Sequence, residues 1–152
     1  MSIVENSEEP SVGEVMSTPP IMILPTETVE QGARIMAEEG IGSLIVVDEN
    51  ESLIGIVTKT DIVYKVVARG EDPSRTLIAS IMTRNPYYIL KTATLREAAE
   101  EMGIHNIGHL PVIDPETSKV VGVISKSDIL RLAPHYMTLV YLTRPRERGE
   151  NE

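Results

Sequence analysis

The stretch Gly55-Ile56-Val57-Thr58-Lys59-Thr60-Asp61 returns 67 positions later as Gly122-Val123-Ile124-Ser125-Lys126-Ser127-Asp128. The likeness extends upstream at a spacing of 66: Met16 matches Met82, Pro20 matches Pro86, Met36 matches Met102, Gly42 matches Gly108 and Asp48 matches Asp114. One residue has therefore been added in the second copy, between Asp114 and Gly122. A fixed-period repeat means one structural unit used twice, which constrains the fold more than any local pattern does. Whatever the chain does is expected where the two copies face each other.

At 152 residues, the chain suits one compact body made of two half-size units. Cysteine is absent, which excludes disulfides, thiolate metal sites and a cysteine nucleophile. No apolar run reaches the roughly 20 residues that span a bilayer, and Met1 to Pro10 is acidic rather than basic and then apolar, unlike a secretory signal. A soluble cytoplasmic protein, away from membranes, is the expectation. The formal charge of −9 argues against nucleic acid as a partner, because binding there needs cations to neutralise phosphates. Phe and Trp are absent, so the usual base-stacking platforms are missing too.

Both copies carry the same order of local signals. Residues 1–11 are acidic, with little that could pack, and are expected to be a disordered arm. Repeat 1 covers 12–70, a turn-rich linker 71–76, repeat 2 77–137, and a charged C-terminal tail 138–152. In repeat 1 a short strand at Ile21–Leu24 precedes a helix that opens with Thr28-x-x-Gln31, which has the spacing of a capping box. The twin is Thr94-x-x-Glu97. Both helices should stop at equivalent positions, Gly40 and Asn106, the two residue types that best tolerate the left-handed backbone of a helix end. Aliphatic strands follow at Ser43–Val47 and His109–Ile113, then polar turns, then strands Leu53–Val57 and Val120–Ile124. These pairs read as hairpins, each running into a second helix. The predicted fold is α+β: each repeat has a three-stranded sheet with two helices on one face, and the bare faces stack sheet to sheet about a pseudo-twofold axis.

Thr58-x-x-Asp61 and Ser125-x-x-Asp128 sit at strand-to-helix junctions and allow two readings. As a capping box, the hydroxyl and the carboxylate satisfy the free N–H groups that open a helix. As a ligand site, the same junction offers N–H groups and a hydroxyl to a phosphate, while the aspartate accepts from the vicinal hydroxyls of a ribose. Lys59 and Lys126 either supply a cation to that phosphate or point into solvent. Gly55 and Gly122 allow close approach of backbone to a ligand. The methionines at 16, 36, 82 and 102 fit core filling as well as ligand contact.

The paired pattern of Gly, two intervening residues, Thr or Ser, two more, and Asp resembles the nucleotide signature of the cystathionine-β-synthase (CBS) domain family, whose members pair two such repeats. Val15-Met16-Ser17-Thr18-Pro19-Pro20, Ile81-Met82-Thr83-Arg84-Asn85-Pro86 and His109-Leu110-Pro111-Val112-Ile113-Asp114 are also similar to family wording. The resemblance covers residues 12–135. It implies two clefts between the sheets, each joining the motif of one repeat to strand positions of the other. One would combine Thr58, Lys59, Thr60 and Asp61 with Met82, Tyr87, Gly108 and His109. The other would combine Ser125, Lys126, Ser127 and Asp128 with Met16, Ile21, Gly42 and Ser43.

In this scheme Asp61 and Asp128 hold ribose hydroxyls, Thr58 and Ser125 hold phosphate, and Ile21 and Tyr87 meet adenine. Tyr87 either narrows its cleft or stacks on the base. His109 either contacts phosphate when protonated or is a half-buried sheet histidine. The implied function is a regulatory sensor of adenosine nucleotides, AMP first and ADP or ATP next, signalling to an effector protein and forming a homodimer. The alternatives are a ligand-free dimerisation scaffold and a sensor of S-adenosylmethionine, NAD or magnesium. Neither a catalytic constellation nor a metal centre is expected: the chain has no glycine-rich phosphate loop followed by lysine, and His105 and His135 lack metal-ligand spacing.

Overall fold

The computed structural model describes residues 9–141; the first eight residues of the expected arm and positions 142–152 of the expected tail lie outside the described residues. Strand alternation decides the architecture. In β2 (Ser43–Val47) all five residues are buried, so both faces of the strand must be covered. Leu44 and Val46 pack with Val29 and Met36 of α2 (Val29–Glu39), whereas Ile45 and Val47 belong to a second cluster. That cluster joins them to Ile56 of β3 (Leu53–Thr58) and, from the other repeat, to Ile113 of β6 (His109–Ile113) and Val120 of β7 (Val120–Ser125). The repeats therefore meet sheet to sheet through a shared aliphatic layer, the predicted arrangement.

Each repeat has the predicted order. In the first, β1 (Met22–Ile23) runs parallel to β2, and β2 pairs antiparallel with β3, setting Ser43 opposite Thr58 and Val46 opposite Gly55. In the second, β5 (Ile89–Leu90) is parallel to β6, and β6 pairs with β7, setting His109 opposite Ser125 and Val112 opposite Gly122. The caps fall where the sequence places them. Thr28 Oγ1 accepts from the Gln31 N–H at 3.1 Å. Thr94 forms a full reciprocal box with Glu97 at the start of α5 (Leu95–His105). Gly40 and Asn106 end these helices with φ of 68° and 55°, the left-handed geometry both residue types tolerate. The hairpins lead into α3 (Lys59–Ile62), prolonged by a π turn over Val63–Val67, and into α6 (Lys126–Leu132).

The lead-in segments depart from the simple two-unit picture, because each is exchanged. The short helix α1 (Val12–Val15) belongs to repeat 1 by sequence but packs in the core of repeat 2, where Val12 is fully buried beside Leu95 and Ala98. Its counterpart α4 (Ile78–Ile81) packs in the core of repeat 1 beside Val29 and Val66. The backbone bonds correspond position by position: Gly13 N donates to Lys91 O as Ala79 N donates to Pro25 O, and Val12 N to Ala93 O as Ile78 N to Glu27 O. Beyond α4, β4 (Thr83–Arg84) adds a fourth strand to the first sheet by pairing with β3. Ser17 makes the matching bridge to Val123.

Two segments outside the expected repeats also pack against them. Ser11, assigned to the arm, caps α1 with Glu14 and bridges to Thr94. Thr138–Val140, assigned to the charged tail, form most of α7 (Met137–Val140), which follows a 3₁₀ turn at Pro134–Tyr136 and brings buried Val140 into the second core. Gly103 permits this contact, since a Cβ there would lie 2.1 Å from the Leu139 carbonyl oxygen.

The exchange also gives the motif glycines their work. A Cβ on Gly122 would lie 2.4 Å from Met16 Sδ and 2.8 Å from the Ser17 carbonyl oxygen; on Gly55 it would lie 2.7 Å from Met82 Sδ and 3.0 Å from Thr83 O. The close approach these glycines allow is thus to the other repeat's lead-in rather than to a ligand. Gly122→Ala should lower stability by about 1–3 kcal/mol, as for an overpacked core, and Gly55→Ala by less. Urea denaturation checks this: an unchanged midpoint for Gly122→Ala would show that the exchanged segment is loosely held.

Candidate functional site

Antiparallel pairing sets the start of each hairpin against its end, so Ser43 faces Thr58 and His109 faces Ser125. The two motifs therefore emerge beside the first strand residues of their own hairpins. Stacking the sheets then brings each motif against the other repeat and leaves two clefts. The larger, about 870 Å³, is bordered by Thr58, Lys59, Thr60 and Asp61 from repeat 1 and by Tyr87, Gly108 and His109 from repeat 2. The smaller, about 230 Å³, is bordered by Ser125, Ser127 and Asp128 from repeat 2 and by Ile21, Gly42 and Ser43 from repeat 1.

Most residues predicted for each cleft line it. Met16 and Met82 do not: they fill the slots over Gly122 and Gly55 and belong to the cores. Lys126 lines the larger cleft rather than the smaller one to which it was assigned. Sequence reasoning passed over Gly40 and Pro20 in the smaller cleft and Asn106 and Pro86 in the larger. The repeat alignment held that signal, since both pairs are equivalent positions of the two copies.

Both readings of the motif meet in its hydrogen bonds. Asp61 Oδ2 accepts from Thr58 N at 2.9 Å and Thr58 Oγ1 at 3.2 Å, while Thr58 Oγ1 accepts from Asp61 N. Asp128 and Ser125 repeat this at 2.8 and 3.1 Å. Both are complete capping boxes. The second carboxylate oxygen is also engaged, Asp61 Oδ1 by Lys65 at 3.0 Å and Asp128 Oδ1 by Arg131 at 2.8 Å.

A carboxylate offers about four lone-pair positions. Three are taken in each case, leaving one for a ligand, and a second opens if the cation swings aside. Arg131 is 62% exposed, whereas the Asp128 side chain is only 6% exposed. Removing that cation would leave a nearly buried carboxylate short of a partner, so a donor from a ligand would have to replace it.

His109 borders both clefts. Burial pushes its pKa below the usual imidazole range, Lys126 and Lys59 push it further, and Asp128 opposes them. The ring is therefore neutral near pH 7, in line with the half-buried sheet histidine of the two expected alternatives. The lysines lie along the glycines that open the hairpins. A Cβ on Gly42 would be 3.0 Å from Lys59 Cε, and one on Gly108 would be 3.4 Å from Lys126 Cε. Lys126 Nζ also stands 4.9 Å from the centre of the Tyr141 ring. Tyr87 stacks on His105, with centroids 3.6 Å apart and planes 14° from parallel, so one of its faces is already covered.

Two outcomes follow from this geometry. Ser125→Ala removes a cap and should cost about 1 kcal/mol of stability, read from the denaturation midpoint; no loss would mean the box is incidental. For His109 the folded pKa lies below the unfolded one, so acidification favours the unfolded state. Stability is lost as pH falls through the unfolded value near 6.5. The melting temperature of His109→Gln should accordingly fall less than that of the parent between about pH 7.5 and 5.5. Equal drops would show that His109 is not the buried base described.

A family model for the CBS domain matches residues 12–68 and 78–135. An uncharacterized protein of Methanopyrus kandleri is 35% identical over 130 residues, covering 86% of this chain and 66% of that protein. An L-aspartate semialdehyde sulfurtransferase of Methanocaldococcus jannaschii is 33% identical over 80% of this chain, which spans only 23% of that enzyme. Among solved structures, the CBS domain pair of protein MJ0100 in complex with 5′-methylthioadenosine and S-adenosyl-L-methionine superposes with a TM-score of 0.76. It is 31% identical and covers 84% of this chain and 98% of that one. A CBS domain protein from Pyrobaculum aerophilum complexed with AMP also has a TM-score of 0.76, at 25% identity, covering 85% and 97%. Hypoxic Response Protein I with two coordinated zinc ions has a TM-score of 0.71 at 28% identity, covering 82% and 99%.

Proposed function

The chain belongs to the CBS domain family, as two tandem repeats, and from that premise we propose that it is a regulatory module sensing an adenosyl nucleotide between them. One observation carries the reading: each cleft takes its hydroxyl and aspartate from one repeat and its facing wall from the other. A ligand in either cleft touches both repeats, so its binding free energy depends on how they sit together. That differential affinity is what a sensor needs in order to bias one arrangement over another.

Asp61 and Asp128 would hold ribose hydroxyls, Thr58 and Ser125 would turn their hydroxyls to phosphate, and the free face of Tyr87 and Ile21 would meet the base. AMP is the first candidate, with ADP and ATP next. S-adenosylmethionine has support from the MJ0100 complex, because an aspartate that grips a ribose serves any adenosyl group. NAD and magnesium belong to the same panel of ligands. Among the described residues, no group of three or more His, Cys, Asp or Glu side chains converges as a metal site. The module would relay its state rather than catalyse. No described helix is long and apolar enough to cross a membrane, in keeping with a cytoplasmic sensor.

A second copy of the chain is the first partner proposed, and an effector protein the second. Val63, Tyr64 and Val67 on the helix after the first motif are 50%, 67% and 67% exposed, and Leu130 after the second is 58% exposed. Exposed apolar side chains on these two helices suit an interface better than solvent. A ligand-free scaffold is the competing function, favoured by the capping boxes being complete without a ligand.

Thermal denaturation with AMP, ADP, ATP, S-adenosylmethionine and NAD separates the two. A ligand bound only by the folded state stabilises it by about 2.7 kcal/mol at a hundred times its dissociation constant. Asp61→Asn and Asp128→Asn keep one oxygen for the cap but turn the other position into a donor. Each should weaken nucleotide binding by roughly tenfold to a hundredfold, the magnitude of a charged hydrogen bond. Absence of any melting shift at millimolar nucleotide would leave the scaffold as the function.

A further inference from the structure

Repeat 2 carries a groove that neither cleft reaches. It encloses about 630 Å³ between β5 and α5, bordered by Tyr88, Ile89 and Leu90 on one side and by Glu97, Glu100 and Glu101 on the other. Among the described residues nothing pairs with the outer edge of β5. Lys91 N donates to Ile113 O on the inner side, so by the two-residue alternation of a strand the N–H groups of Tyr88 and Leu90 turn to the open edge. Ile89 packs under α5 with Leu95 and Ala98, which points the side chains of Tyr88 and Leu90 to the other face of the sheet. They are 54% and 39% exposed. An uncovered strand edge beside exposed apolar side chains is a template for another extended chain.

The α5 wall fixes the charge of that chain. Among the described residues, no Lys, Arg or His lines the groove. Each glutamate engages one oxygen locally: Glu97 in the Thr94 cap, Glu100 with Arg96 at 3.4 Å and Glu101 with His105 at 3.2 Å. The fold does not require this wall. At the 66-residue spacing the three acids correspond to Gln31, Arg34 and Ile35 of repeat 1, which still keeps Leu24 where repeat 2 has Leu90. The same helix and strand therefore form without the acids. The groove is also joined to the larger cleft, because His105, held by Glu101, stacks on Tyr87.

We infer that this groove docks an extended, basic segment of an effector protein, added along β5. Successive side chains of an added strand point to opposite faces. Those on the α5 side would be Lys or Arg and meet Glu97, Glu100 and Glu101; those on the other side would be apolar and lie beside Tyr88 and Leu90. Backbone bonds give such an addition its affinity, and the alternating side chains give it specificity. This rests on the reading of the chain as a relay to an effector and specifies that partner's chemistry. No residue of the groove lines either cleft, so it does not depend on which nucleotide binds.

The probe is a labelled synthetic peptide that alternates arginine with valine, titrated with the full chain and read by fluorescence anisotropy. One peptide per chain is expected, with affinity falling as salt rises. Replacing Glu97, Glu100 and Glu101 together by Gln should weaken it by about tenfold or more, the sum of three exposed ion pairs. Thr94 can still accept from the N–H at position 97 in that variant, as Thr28 accepts from Gln31, and its melting temperature verifies folding. The same exchange at Glu30, Glu38 and Glu39 of α2 removes as much charge and should leave affinity unchanged. Leu90→Ser should weaken the arginine–valine peptide but not one alternating arginine with serine. Equal losses from the two sets of glutamates, or equal affinity for the two peptides, would reduce the groove to a general acidic surface and overturn the docking site. Binding that appears only after Arg144, Arg146 and Arg148 are replaced by Gln would give the groove to the chain's own C-terminal segment instead. Loss of self-association in the Glu97, Glu100 and Glu101 variant would give it to a second copy. Peptide binding without any melting shift from AMP would sink the nucleotide reading and leave the docking site standing.

Discussion

The structure depends on covering the second face of each sheet. A strand such as β2, buried along its whole length, has apolar side chains on both faces, and the helices of its own repeat cover only one. Ile45, Val47 and Ile56 find their partners in Ile113 and Val120 of the other copy. Neither half is complete alone, because that layer would otherwise face water at roughly 25 cal/mol per Å² of apolar surface. The clefts are a by-product of this union: they lie between the repeats, beside the hairpin ends that carry the motifs.

Exchange of the lead-in segments strengthens the same union by a different route. Val12 is fully buried in the second core and Ile78 in the first, so separating the repeats would expose both cores as well as the layer between them. The glycines of the two motifs belong to this exchange, since they make room for Met16 and Met82. The signature thus combines an architectural residue at one end with residues that face the clefts at the other. A single segment joins the packing of the two repeats to the chemistry between them, and a ligand that moves the motif also acts on the joint.

The aspartates show how the structural and ligand-binding readings coexist. Each uses one oxygen for its helix cap and offers the other to a partly exposed cation. The cap fixes the carboxylate and the cation pairs it in the protein alone, so on the proposed reading the group would be in place before a ligand arrived. Preorganisation of this kind limits the ordering cost of binding. The clefts differ in their walls, with Tyr87 on His105 in the larger and Ile21 in the smaller, so near-symmetric halves present unequal surfaces.

Much of this was legible in the chain because the signals are local. Thr28 and Thr94 announce helix starts, Gly40 and Asn106 announce their ends, and the duplicated motif marks both hairpin exits, all through hydrogen bonds or backbone geometry within a few residues. The exchange of α1 and α4 was not legible: four residues carry no helical period, and their partners lie far along the chain. The same holds for Lys126 lining the larger cleft, Tyr87 stacking on His105 and His109 serving both clefts. The sequence by itself determined two copies of one unit, their elements, and the residues able to cap a helix. Which copy covers which, where each methionine goes, and whether the two clefts share a wall depend on contacts between distant residues, and only the packed tertiary structure decided them.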